Sequence, residues 1–123
     1  MTIIDAITRA DIAKPNGYSQ AEKITWLSEL DGVIKTEIID THEGGDHVTF
    51  SGYNEQTVLS TKLLVSAPYD RLYVSYLEMQ IDYANGEYGK YNNSREMFTS
   101  AYEAFQAYYN RTHKPISHGR FLF

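Results

Sequence analysis

The chain of 123 residues is the size of one domain, and such a chain buries about two-thirds of its unfolded surface without covalent staples. It contains no cysteine, which excludes disulfides, thiolate metal sites and cysteine nucleophiles. With 16 acidic against 11 basic residues the net charge is −5, poor material for a general DNA binder, because duplex affinity comes mainly from Lys and Arg on phosphates.

The N-terminal stretch has no basic region followed by a long apolar run. No window approaches the roughly 20 apolar residues that cross a bilayer, so a soluble, unsecreted protein is expected. Thr2 followed by Asp5 resembles a capped helix start, and Ile3, Ile4, Ile7 and Ile12 recur at roughly helical spacing. Pro15 and the turn pair Asn16-Gly17 then break the pattern.

"SQAE" at 19–22 reads as a capping box. The helix it opens carries Ile24, Leu27, Leu30, Ile34 and Ile38 as a stripe for burial, widened by Trp26 and Val33. Gly32 costs about 1 kcal/mol in a helix interior, and suits the close approach of another helix. From 44 to 66 the character changes. "HVTFSGY" alternates apolar and polar residues and "TVLSTKLLV" does so more loosely, which predicts extended segments or a small β-hairpin around "GYNEQ".

"SAPYD" at 66–70 starts the next helix, with Pro68 in the first turn and Asp70 favoured by the dipole. Leu72, Tyr73, Tyr76, Leu77, Gln80, Ile81 and Ala84 follow at helical spacing. "NGEYGKYNN" at 85–93 interrupts, and Asn92 or Asn93 is expected to cap the last helix, with Glu96 completing a capping box. Phe98, Ala101, Tyr102, Phe105 and Tyr109 form that helix's stripe. It ends near residues 111–113, before Pro115. The expected fold is mainly α. It is a bundle of about four helices, one short and three long, with an extended or small β-hairpin insert between helices 2 and 3. Residues 1–115 form the domain and 116–123, "ISHGRFLF", a basic-aromatic tail. The expected core sets Leu27, Leu30, Ile34 and Ile38 against Leu72, Tyr76, Leu77 and Ile81, and against Phe98, Tyr102 and Phe105.

Candidate chemistry is thin. "HEGGDH" at 42–47 opens like a zinc-protease motif, but that motif needs histidines at i and i+4, and position 46 is Asp46. Gly44-Gly45 after an amphipathic run reads instead as a helix cap and turn, with His42 near the negative end of the dipole. Glu29, Glu37, Glu78 and Glu103 lack a histidine three residues on, so a di-iron bundle site is not expected. There is no G-x-S-x-G and no phosphate loop. No metal, cofactor or catalytic residue is therefore expected. "RTHK" at 111–114 with Arg120 is the one basic concentration; it suits a helix C-terminus or a contact for an acidic protein surface or passing DNA. The 11 tyrosines suit either protein interfaces or a tyrosine-rich core.

The order of these pieces carries a resemblance. An N-terminal helix is followed by "YSQAEKITWLSELDGVIKTEII", an extended insert, "LLVSAPYDRLYVSYLEMQIDYANGEYGKYNNS" and "MFTSAYEAFQAYYNRTHKP". Over residues 1–115 this resembles the small helical head–tail connector proteins of tailed bacteriophages, also called head-completion or adaptor proteins, of phages and prophages of low-GC Gram-positive hosts. The tail after Pro115 lies outside it. The resemblance implies a non-enzymatic structural protein of the virion, assembled in the bacterial host cytoplasm. Its implied partners are further copies of itself in a twelvefold ring, the portal protein, a tail-side completion protein, and DNA that passes through without sequence-specific binding. An acidic ring suits that passage, since it gives the phosphates no strong partner.

The expected subunit or portal contacts are His47, Phe50 and Tyr53 in the insert, Arg111, and Arg120, Phe121, Leu122 and Phe123 in the tail. The Phe-Leu-Phe end reads as an anchor for a pocket on the portal or a neighbouring subunit, or else as a cover folded over its own bundle. The rival class is a small acidic phage or prophage regulatory protein that binds a host or phage protein. That class would show carboxylates dense on one face, whereas Glu22, Glu29 and Glu37 are interspersed with Lys23 and Lys35.

Overall fold

The computed structural model describes residues 1–116. Its helices are α1 (Ile3–Ala13), α2 (Gln20–Glu37), α3 (Arg71–Ala84) and α4 (Tyr88–Thr112); two short 3-10 turns, Ile39–Thr41 and Gly45–His47, follow α2. The mainly α, four-helix bundle matches the sequence pattern, with α1 the shortest of the four α-helices.

Local chemistry sets the starts. The Thr2 hydroxyl accepts the Asp5 N–H at 3.2 Å, and the Asp5 carboxylate accepts the Thr2 N–H at 3.0 Å, a complete capping box. At α2 only half of the expected box forms. Ser19 accepts the Glu22 N–H at 3.1 Å, but the Glu22 carboxylate meets the Ser19 hydroxyl rather than its backbone. Pro68 precedes α3 instead of sitting in its first turn, after a cis Ala67–Pro68 bond. Asp70 caps α3 by position without a side-chain cap bond, and its carboxylate lies 3.2 Å from the Met1 amine.

α3 is the central helix, packed against α4, α1 and α2. Burial follows the stripes. Leu27, Leu30, Ile34 and Ile38 meet Leu72, Leu77 and Ile81, with Phe105 from α4. Tyr76, Phe98 and Tyr102 are only partly buried, because they line the gap where α2 and α4 flank α3. The core extends further than expected. α1 contributes Ile3, Ala6, Ile7 and Ala10 at helical spacing, and Tyr73 and Tyr109 are buried. Ile12 falls two residues past Ala10, off that face, and is 77 % exposed.

The insert differs from expectation. Among the described residues between α2 and α3 there is no strand and no hairpin; the segment is a run of turns. The alternation in "TKLLV" is nevertheless used: Leu63 and Val65 point into the core while Lys62 and Ser66 face out. What is missing is a partner strand. The backbone bonds instead to the start of α1, where Ile3 N–H donates to the Thr61 carbonyl at 3.0 Å and Leu63 N–H to the Met1 carbonyl at 3.1 Å. The insert thus serves as a strap across the N-terminal end of α1. Gly32 also has another role than expected: its nearest neighbour is the Phe50 ring of this strap, not a helix.

The last helix begins at Tyr88, earlier than Asn92 or Asn93. The break is confined to residues 85–87. Gly86 takes φ +73°, and the Glu87 N–H donates to the Asp82 carbonyl at 3.0 Å, closing α3 as a left-handed cap does. Gly89, Asn92 and Asn93 are absorbed into α4, helped by the Glu87–Lys90 ion pair at 2.8 Å.

Candidate functional site

Buried polar groups are where function and structure compete, and here each one joins elements. Asp31 sits on the buried face of α2, fully covered. One carboxylate oxygen accepts the Tyr73 hydroxyl at 2.6 Å; the other accepts the Tyr53 hydroxyl at 2.5 Å and the Leu64 N–H at 3.1 Å. Tyr73 in turn accepts the Val65 N–H at 2.8 Å. One carboxylate thus holds α2, α3 and the strap together. Burial raises the Asp31 pKa above its ordinary value, against the lowering effect of its three donors. Burial and the neighbouring carboxylate push both tyrosines upward, so they stay protonated donors.

Two ion pairs extend the scheme. The Lys23 ammonium, buried in α2, lies 2.9 Å from Asp11 of α1. Asp82 of α3 takes Lys14 at 3.1 Å and the hydroxyl of Ser94 in α4. No buried side-chain polar atom among the described residues lacks a partner.

"HEGGDH" resolves into a joint. His42 is buried, with its Nδ1 2.6 Å from the Ile38 carbonyl at the end of α2 and its Nε2 2.7 Å from the Asn110 side chain in α4. A carbonyl only accepts, so Nδ1 is the donor to Ile38. The ring meets Tyr109 edge-on at 4.9 Å, and Tyr109 stacks on His113 at 3.8 Å. The turn reading therefore holds, but the cap is displaced. α2 ends at Glu37 with Ile38 as its C-cap, and Gly44, at φ +86°, reverses the chain six residues after that cap. Gly45 is required by closeness: an added Cβ would lie 2.4 Å from the Ile39 carbonyl oxygen. Glu43, Asp46 and His47 face outward, and no three His, Asp or Glu side chains converge among the described residues.

The expected contact residues are scattered. Phe50 and Tyr53 do come together, edge to face at 5.1 Å, but Tyr53 is committed to Asp31 and Phe50 rests over Gly32. His47 is exposed in the second 3-10 turn and Arg111 in the last turn of α4. Arg120, Phe121, Leu122 and Phe123 lie outside the described residues.

Two apolar surfaces escaped the sequence reading. The first is a groove of about 280 Å³ between α2 and α4, lined by Leu30, Val33, Glu37, Tyr76, Phe98 and Tyr102. Tyr76 packs on Phe98 at 5.1 Å and Phe98 on Tyr102 at 5.7 Å. The second is a corner where α3 turns into α4. There Tyr83 meets Tyr88 at 5.9 Å and Tyr91 at 5.3 Å. The tyrosine excess was the available signal; helical spacing alone assigned Tyr76, Phe98 and Tyr102 to the core.

No family model, curated protein or solved structure matches this chain. No helix among the described residues is long and apolar enough to cross a membrane.

Proposed function

We propose that this chain is a non-enzymatic structural protein of a tailed bacteriophage, a head–tail connector that forms a ring between portal and tail and completes the head. The observation that carries the reading is how the polar and apolar groups are distributed. Asp31, His42, Lys23 and Asp82 are each closed by partners that tie one element to another. Exposed aromatic surface lies at the Tyr83–Tyr88–Tyr91 corner and along the α2/α4 groove. Aromatic-rich surface on an internally braced helical body is what subunit packing uses. The net charge of −5 suits a ring through which DNA passes without adhering. Further copies of this chain, the portal and a tail-side completion protein are the partners in this reading.

The test mixes the purified protein with the portal protein encoded in the same genome. Sedimentation and electron microscopy should show a ring of this chain stacked on the portal ring. A protein that leaves the portal bare and instead forms a discrete complex with a host enzyme sinks the proposal in favour of the regulatory class.

A further inference from the structure

We propose that Asn16 is a modification site: its side chain closes on the Gly17 amide nitrogen and loses ammonia, leaving aspartate or isoaspartate in the corner between α1 and α2. Two asparagines of the chain precede a glycine, Asn16 and Asn85. A following glycine favours this cyclisation, because no Cβ obstructs the approach of its nitrogen to the side-chain carbonyl carbon. The fold separates the two. Asn85 is the more exposed, but it is the C-cap of α3, at φ −76° and ψ −8°, and the Gly86 N–H donates to the Tyr83 carbonyl at 3.0 Å. The nitrogen that would attack is held in the helix cap and reacts only after that cap opens. Asn16 lies outside any helix. The Gly17 N–H donates to no acceptor among the described residues, and a Cβ added at Gly17 would meet nothing within 4 Å. The Gly17 peptide is therefore the part that moves.

The Asn16 side chain is meanwhile held as the electrophile. Its Oδ1 accepts the Tyr18 N–H at 3.0 Å, and its Nδ2 donates to the Asp11 carboxylate and to the Lys14 carbonyl, both at 2.9 Å. The Tyr18 N–H stands where negative charge develops when the side-chain carbonyl is attacked, as an oxyanion donor does. Hydroxide removes the Gly17 amide proton, the nitrogen bonds to Asn16 Cγ, and the Cγ–Nδ2 bond breaks. The leaving nitrogen takes a proton from water and departs as ammonia, which regenerates hydroxide. Water then opens the cyclic imide. Opening at the side-chain carbonyl gives aspartate, and opening at the main-chain carbonyl gives isoaspartate. The product works against its surroundings. A carboxylate at 16 has no proton to give to Asp11 or to the Lys14 carbonyl and repels both. Isoaspartate also lengthens the main chain just before Tyr18, whose hydroxyl donates to the Asn85 side chain at 2.6 Å and whose ring meets Trp26 edge-on at 6.0 Å. The α1–α2 corner and the α3–α4 turn are thus loosened together. The inference holds whether or not the chain is a connector.

Trypsin separates the two sites, since it does not cut between Lys14 and Pro15: Asn16 falls in the peptide 10–23 and Asn85 in 72–90. The folded full chain is kept in mildly alkaline buffer and sampled by peptide mapping that resolves asparagine, aspartate and isoaspartate. Product in 10–23 should accumulate at least about tenfold faster than in 72–90, and the two rates should converge in denaturant, where no cap protects Gly86. Equal rates in the folded chain, or a faster 72–90, would overturn the proposal. So would a 10–23 peptide that stays intact in the folded chain after the denatured chain has converted. A difference that persists undiminished in denaturant would assign the selectivity to the flanking sequence and overturn it too. Gly17→Ala places a methyl group in open space, so it should keep the melting midpoint while slowing the reaction. An undiminished rate with aspartate as the sole product would mean direct hydrolysis in place of cyclisation. Asn16→Asp, which reproduces one product, should lower the melting midpoint, and an unchanged midpoint would refute the loosening of the corner.

Discussion

Asp31 is the residue on which three segments of the molecule depend. A carboxylate with no exposure and three donors is costly to bury and costlier to lose, because its donors would remain behind without acceptors. Asp31→Asn keeps the shape but replaces one acceptor oxygen with an NH2 group facing hydroxyl and amide donors. The expected loss is about 1–3 kcal/mol in chemical denaturation. The pH dependence has a definite sign. The folded-state pKa of Asp31 lies above the ordinary 3.8, chiefly through desolvation. Above the folded pKa the group is ionised in both states, and the folded state bears the full cost of the buried charge. As pH falls through the folded pKa towards 3.8 the native protein takes up the proton first and this cost is relieved. The stability advantage of the unmodified chain over Asp31→Asn should therefore grow between neutral pH and about pH 4. An advantage that shrinks over that range would mean that the hydrogen bonds outweigh burial. Nothing in the periodicity announced this site. Asp31 falls between Leu27, Leu30 and Ile34 on the apolar face, and a polar residue there is legible as an exception only when its partners, Tyr53 and Tyr73, are known to converge.

At the scale of elements, amphipathic spacing set out α1, α2 and α3, because each buries a continuous face against a neighbour. Leu77 is fully buried at the centre of α3, and Leu77→Ala should cost about 2–5 kcal/mol by lost transfer energy and the cavity left behind; an unchanged denaturant midpoint would contradict that packing. Where spacing failed, the deciding bonds came from elsewhere. The strap could not pair as a hairpin once its backbone was engaged with Met1 and Ile3, contacts some 60 residues away in sequence. The start of α4 was obscured by Gly89, Asn92 and Asn93, poor helix formers carried by an otherwise sound helix.

Two glycines make this difference measurable. Gly89 lies in the first turns of α4 with open space around it, so Gly89→Ala should raise stability by about 0.4–1 kcal/mol. If the helix began only at residue 92 or 93, that gain would be absent. Gly45 is the opposite case. An added Cβ meets backbone at Ile39 and Asp40, so Gly45→Ala should destabilise by about 1–3 kcal/mol as the 3-10 turn shifts. The Lys35 ammonium, 3.1 Å from the Gly45 carbonyl, would shift with it.

For the molecule as a whole, the proposed assembly turns on which surface another subunit would cover. The bundle is braced from within by Asp31, by the Lys23–Asp11 and Asp82–Lys14 pairs and by the His42 joint, none of which uses the exposed tyrosine corner. That separation allows stability and assembly to be tested apart. Tyr83 and Tyr88 are 57 % and 60 % exposed, and Tyr83 meets both Tyr88 and Tyr91 at the α3–α4 corner. The double substitution Tyr83→Ala, Tyr88→Ala should therefore leave the denaturation midpoint nearly unchanged, within about 0.5 kcal/mol. If this corner is a ring contact, the same substitution removes two aromatic anchors of the kind that dominate interfaces, and association with the portal should weaken at least about tenfold per 1.4 kcal/mol lost. Titration of the portal with the two proteins, followed by sedimentation, separates the cases. Equal affinity with equal stability would show the tyrosine corner to be idle surface.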